Sequence, residues 1–458
     1  MNMSISFTGL ASGFDSGSYI DAIMKQESIP LTKLQTKKSN AAAYQKIFKS
    51  LNTKLATLKD AATALKDATS FKLTRATSSD TSKLSVTAGD NSVTGNYQVN
   101  VTQLAQQQVA ASKSFNITDT GASLPDSITV NGNTIDLTDL KSKTMDEVLS
   151  TVRSRINALG MGVNAAVVQT SATTQALTLT SAQAGQANSF TFSTTDYFGF
   201  VEKQAAKDAT LQVNGIDVTS STNEVKNAVP GATLQLTGTG TSTVNVSQDA
   251  DKIADKVQTF VTAYNDIIKT IRDNTQKSTK NADGSLSLTL QGDSTLRDLQ
   301  SQMNNMLNGL FGDKAGYKLM SDLGLEVDKG VTSAALMTGE LSFDKDTFKS
   351  KLAADPDTLQ QMFTGTDPSY DGFGKKTVNF LKVWTDSVNG VITTKVKGYD
   401  DDISFIDDAI ENMQTRLDMK EASLKKQYAN LEVVMSSLNN QKSWMSSQLS
   451  ALTAKSSS

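Results

Sequence analysis

The sequence contains no cysteine and no histidine in 458 residues. Without cysteine there are no disulfides, thiolate zinc sites or cysteine nucleophiles, and without histidine there is no Ser-His-Asp triad. The missing cysteine leaves the compartment open, because a reducing cytosol and a bacterial exterior both tolerate it. Charge of one sign is also lacking: 44 Lys and Arg stand against 47 Asp and Glu, a net −3. That balance argues against a nucleic-acid binder, which needs a dense basic face, and against a polybasic membrane anchor. No stretch approaches the roughly 18 uncharged apolar residues of a membrane span. Met1 to Gly17 has neither the basic nor the continuous apolar region of a secretory signal, so work outside the cell requires a route without a cleaved signal peptide. Aromatics are only 6%, too few to suggest a sugar cleft, and no spacing marks the carboxylate pair of a glycosidase. Hydrophobic residues at 38% still permit folded domains; the length predicts roughly two to four of them.

What is present is a pair of helical seams at the two ends. Near the C-terminus an apolar residue returns every seventh position: Ile403, Ile410, Leu417, Leu424, Leu431, Leu438, Met445 and Leu452. Near the N-terminus Ala41, Tyr44, Phe48, Leu51, Leu55, Leu58, Ala62 and Leu65 step by three and four. A stripe sustained this long requires a partner helix. The stripes bury each other, or the same stripe on other copies. The periodicity predicts a short helix with Ile20, Ile23 and Met24, capped by Ser18 with Asp21. Pro30 ends it or starts a long helix over about 31–68. The final helix is predicted from near Asp400, about 55 residues and roughly 80 Å long. Asp400, Asp401 and Asp402 then lie in its first turn, where the helix dipole favours acid. They point in three directions, which disfavours a metal site.

Between the seams the chain turns to Ser, Thr, Gly, Asn and Val, from about 71 to 246. Lys83 to Ala88 and Asn96 to Thr102 alternate as half-buried strands. Val130-Asn-Gly132 and Val213-Asn-Gly215 repeat one pattern, a strand, a tight turn and a strand. Thr144 with Glu147 reads as a capping box for a helix to Leu159, with Val148, Val152, Ile156 and Leu159 on one face. Strands follow at Gly162 to Thr170 and Ala176 to Thr180. Two β-rich modules, one inserted in the other, account for this order.

Helical spacing resumes at Ala250, with Ile253, Val257, Phe260, Val261, Tyr264, Ile267, Ile268 and Ile271 forming a core-facing stripe. Asn281-Ala-Asp-Gly284 reads as a turn before a strand at Ser285 to Leu290; a calcium loop would need Glu where Leu290 stands. A helix from Asp293 to Leu310, a strand at Gly339 to Phe343, and a helix from Thr347 to Ala354 capped by Asp344 or Asp346 follow. Asp355-Pro356 opens a helix through Phe363, and Thr364 to Lys375 reads as a loop. Asp371-Gly-Phe-Gly374 follows no strand and lacks a Lys-Ser/Thr pair, so it is not a phosphate loop. Met303 and Met306 read as core.

Three sets of residues together carry a family resemblance. Gly9-Leu-Ala-Ser-Gly-Phe-Asp15, Ile20-Asp-Ala-Ile-Met24 and Ile29-Pro-Leu-Thr-Lys-Leu-Gln35 resemble the start of the bacterial flagellar filament cap family, also called hook-associated protein 2. Asp249 to Asn265 is similar to that family's helix entering its main domain. Leu323-Gly-Leu325, Gly339-Glu-Leu-Ser-Phe-Asp344 and Ala354 to Phe363 resemble its later signature. The resemblance implies an α+β multidomain fold. Long coiled-coil-like terminal helices pair through their N- and C-terminal segments. A mixed helical/β main domain carries two β-rich modules inserted in the middle. It implies a terminal helical leg at 1–40 and 401–458 and a main domain at 41–70 and 250–400. A β-rich plate module at 71–112 and 203–249 and an inserted outer module at 113–202 complete the division.

The implied function is a cap at the filament tip that retains exported flagellin and promotes its folding and polymerisation, without catalysis, cofactor or metal. Implied partners are further copies in a ring, a pentamer; flagellin; hook-filament junction proteins; and a cytosolic export chaperone on the C-terminal helix. Neither nucleic acid nor membrane insertion is implied. The implied location is extracellular, at the flagellar tip, reached by type III export. Adhesion to host surfaces is a further role open to the outer module. A self-assembling secreted adhesin or phage-tail-like tip protein, or a flagellin-like filament subunit, are the alternative readings of the same layout.

Overall fold

The computed structural model describes residues 15–89, 91–280, 287–311, 319–333, 336–365 and 371–455, with side chains to residue 450. The helices are α1 Ser16–Glu27, α2 Ile29–Lys66, α3 Met145–Ala158, α4 Ala250–Thr275, α5 Ser294–Leu307, α6 Lys345–Ala354, α7 Pro356–Thr364, α8 Phe373–Thr385 and α9 Val391–Lys455. The chain divides into two compact units, Met1–Asp67 with Lys256–Ser458, and Ala68–Asp255. It is a multidomain α+β protein whose N- and C-terminal helices pair.

In the first unit α2 turns Phe48, Leu51, Leu55, Leu58, Ala62 and Leu65 inward. Pro30 stands in the first turn of α2, where its missing N–H costs nothing. Helices α8 and α9 cover this face. Gly374 lets α8 approach closely: a Cβ there would stand 2.7 Å from the Lys66 backbone nitrogen. Phe373 lies at the centre of an aromatic cluster, 5.1 Å from Phe260, 5.2 Å from Phe311 and 5.8 Å from Phe363 between ring centroids. The strand pair Leu325–Val327 and Leu341–Phe343 is tied to α4 by Asn265. Its amide donates to the Leu341 carbonyl at 2.8 Å and accepts from the Leu341 N–H at 2.7 Å.

The second unit holds two hydrophobic clusters. One lies under an antiparallel sheet ordered Thr74–Ser78, Gly240–Gln248, Gly95–Gln103, Ala209–Val213, Ile216–Ser220, together with a three-stranded sheet. Val99, Val101, Leu211, Leu234 and Val244 fill it. The other is built from residues between those strands in sequence. There α3 packs Val148, Leu149, Val152 and Ile156 against Leu177, Leu179, Phe190, Phe198 and Phe200. Both Asn-Gly turns form as expected: Asn131 and Gly132 have φ of 48° and 74°, and Asn214 and Gly215 have 51° and 82°. The Thr144–Glu147 capping box is present at α3.

Several expectations are corrected. Asp15, not Ser18, caps α1, accepting the Ser18 N–H at 3.1 Å. Helix α9 starts at Val391, so Asp400, Asp401 and Asp402 lie in its third turn and no acid occupies the first. Its start is fixed by a preceding turn at Asp386, whose carbonyl accepts the Gly390 N–H at 3.0 Å. The expected strand at Ser285 to Leu290 is absent over residues 287–290, where Thr289 and Leu290 bond to α4 and the stretch after it. The expected loop 364–375 has α7 running to Thr364 and α8 opening at Phe373. Leu159 and Leu310 follow the ends of their helices and are exposed. Residues 9–14 and the turn Asn281 to Gly284 lie outside the described residues.

Candidate functional site

The longest element is also the one with the most apolar surface left open. At 65 residues, α9 spans roughly 100 Å at about 1.5 Å per residue. Helix α2 runs antiparallel along its first part. Lys38 pairs with Asp407 at 2.5 Å and Lys49 with Asp400 at 4.0 Å. The Gln45 side chain donates to Asp400 and, at 3.4 Å, to the Val396 carbonyl. Asp400 is therefore a partner for α2, which replaces its expected role at a helix start. Phe48 stacks on Tyr399 with centroids 5.8 Å apart, and Lys395 sits over both rings while pairing with Asp293 at 3.2 Å. Burial raises the Tyr399 phenol above its ordinary range, with Asp293 adding to the shift.

Further along, α1 lies on α9. Hydrogen bonds from the Ser18 side chain and backbone lower the Asp15 carboxyl. Ser16 donates to Glu432 at 2.8 Å, and Ile20 is buried. On α9 Lys425 pairs with Glu421 at 2.6 Å, and the hydrogen bond it donates there raises the ammonium.

The residues of the two seams fall into different settings. Ala41 and Tyr44 are half-buried, and Tyr44 donates to the Thr289 carbonyl at 3.1 Å. Phe48, Leu51, Leu55, Leu58 and Leu65 are buried within this chain. In α9 Ile403 and Ile410 are half-buried, and Leu417 and Leu424 are buried, Leu424 at 9% exposure. From there the stripe opens: Leu431 is 46% and Met445 58% exposed, with Leu438 similarly open. The Leu452 side chain lies outside the described residues.

The heptad reading misses a second set. Phe405, Met419, Val433 and Trp444 are exposed on other flanks of α9; the spacing of fourteen from 405 to 419 to 433 was the signal available. Among the described residues no group of three Asp or Glu is placed to hold a metal, and no helix is long and apolar enough to cross a membrane. The arrangement offers surfaces for other chains.

Comparison with known proteins returns one family. The profile described as flagellar hook-associated protein 2 C-terminus matches residues 206–440, and that of the N-terminus matches residues 12–108. The flagellar hook-associated protein 2 of Escherichia coli strain K12 is 28% identical over 479 residues, covering 97% of this chain and 98% of the relative. Its counterpart in Aquifex aeolicus is 28% identical over 287 residues, covering 58% and 64%. The solved D1-D2-D3 domains of the flagellar cap protein FliD from Escherichia coli superpose with a TM-score of 0.56 at 26% identity, over 77% of this chain and 99% of that one.

Proposed function

The chain belongs to the flagellar hook-associated protein 2 family, and from that premise we propose that it caps the distal tip of the bacterial flagellar filament. There it retains exported flagellin and promotes its folding and polymerisation. It works by surface contact, without catalysis. One observation carries this reading: the likeness to the Escherichia coli relative runs across 97% of the chain, both helical ends included.

In this reading residues 1–40 with 401–458 form a leg and 41–70 with 250–400 the main domain. Residues 71–112 with 203–249 form the plate, and 113–202 the outer module. Copies join in a ring, a pentamer, which meets flagellin and follows the hook-filament junction proteins. The stripe from Ile403 to Leu452 supplies helix contacts of the leg, and the seam from Ala41 to Leu65 supplies those of the main domain. A cytosolic chaperone covers the open part of α9 before type III export to the cell exterior. The exposure of Leu431, Leu438 and Met445 supports this, because contiguous apolar surface on a soluble protein marks an interaction site.

Deleting the gene tests the proposal. Cells lacking the chain should shed monomeric flagellin into the medium and carry short or absent filaments, and a plasmid copy should restore them. Filaments of normal length with no shed flagellin would overturn it and favour an adhesin.

A further inference from the structure

Helix α9 has a flank that its partners among the described residues do not use. Asp401, Phe405, Asp408 and Asn412 follow each other at helical i, i+4, i+7 and i+11 spacing, and all four are exposed. Phe405 is 73% exposed. A phenyl ring held that far into water, between two carboxylates, defines both an apolar contact and the charge its occupant must carry. The surrounding stretch 400–411 holds six acids and no base.

Helix α2 carries the complement. It holds eight lysines and one acid. On its first three turns Ile29, Lys33 and Lys37 are spaced by four and exposed, with Thr36 and Asn40 beside them. Neither Lys33 nor Lys37, nor Asp401 nor Asp408, makes an ion pair among the described residues, whereas the neighbouring Lys38 pairs with Asp407 at 2.5 Å. That pair makes the two flanks overlap in part along the antiparallel helices, on different sides of them. A chain cannot fold its own α2 flank onto its own α9 flank. A second copy placed alongside can.

We propose that the Asp401–Phe405–Asp408 flank of α9 in one copy docks on the Ile29–Lys33–Lys37 flank of α2 in the next. Such a contact joins two different patches, so it repeats from copy to copy and closes into a ring when the rotation allows. Phe405 provides the apolar contact at the middle of its flank and Ile29 one at the end of the other, and the lysines and carboxylates supply the charge complementarity. The inference deepens the self-association proposed above and assigns it a surface on the leg.

Charge reversal in the full chain, read by sedimentation velocity and native mass, tests it. D401K/D408K and K33E/K37E should each weaken assembly by roughly tenfold or more, because exposed pairs turn from attractive to repulsive. The quadruple variant D401K/D408K/K33E/K37E should regain most of it. Unchanged circular dichroism confirms that each variant folds, and F405S supplies an uncharged variant with the same expected loss. Assembly indifferent to either reversal, or no recovery in the quadruple variant, overturns this surface and leaves the cap reading intact. An unaltered chain that never assembles overturns both.

Discussion

Phe48 is fully buried in α2, with its ring 5.8 Å from Tyr399 and the Lys395 ammonium 5.5 Å from its centroid. Truncation removes a large buried side chain, an aromatic pair and a cation contact together. Phe48→Ala should therefore cost about 3–5 kcal/mol in urea unfolding. Asp196 runs the other way. Its Oδ1 accepts N–H groups of Phe198 and Gly199 at 3.1 and 3.0 Å, while its Oδ2 is buried without a partner. Burial outweighs those bonds and raises its carboxyl. A raised carboxyl means the charged form is disfavoured in the fold, a penalty present at neutral pH that fades as pH falls through the folded value. Asp196→Asn should raise the melting temperature near neutrality, with the gain shrinking in acid.

The pH profile of the whole stability follows from side chains of the same kind. With no histidine, no unperturbed side chain changes charge between about pH 5 and 8. Asp344 and Asp355 cap α6 and α7, and bonds from Thr347 and Thr358 lower their carboxyls. A lowered carboxyl contributes stability that is complete above its unfolded value of about 3.9 and is lost as pH falls through the folded one. Thermal unfolding should be flat from about pH 6 to 8 and should decline only below about pH 4.

At the scale of elements, one stripe on α9 passes from cover to exposure. Leu424 is buried where α1 and α9 pack, whereas Leu438 is open. Leu424→Asp should destabilise the isolated chain in a melting experiment. Leu438→Asp should leave its melting temperature unchanged and weaken self-association or chaperone affinity. Much of this layout was legible beforehand. The Thr144–Glu147 box, the Asn131-Gly132 and Asn214-Gly215 turns, and the α4 stripe each combine local chemistry with burial, so propensity and tertiary packing agree. The start of α9 was not legible, because Gly398 followed by Tyr and three Asp looks like a helix opening while packing carries the helix straight through. Helix α8 was hidden by Gly372 and Gly374, residues that signal a loop in sequence yet here admit neighbouring backbone. The Phe405 flank was missed because its one apolar residue stands among acids, and only the spacing of fourteen to Met419 and Val433 marks it.

At the scale of the molecule, the open apolar side chains of α9 stand along the longest helix among the described residues. The open part of α9 lacks acid from Val433 to Ser450. The account rests on that segment being covered by other polypeptides. Hydrogen exchange of the full chain, as a function of protein concentration and read alongside native mass, tests this most directly. The expected result is one closed oligomer in which amides of residues 431–450 become protected as assembly proceeds. A monomer at every concentration, with that segment equally protected throughout, would contradict it.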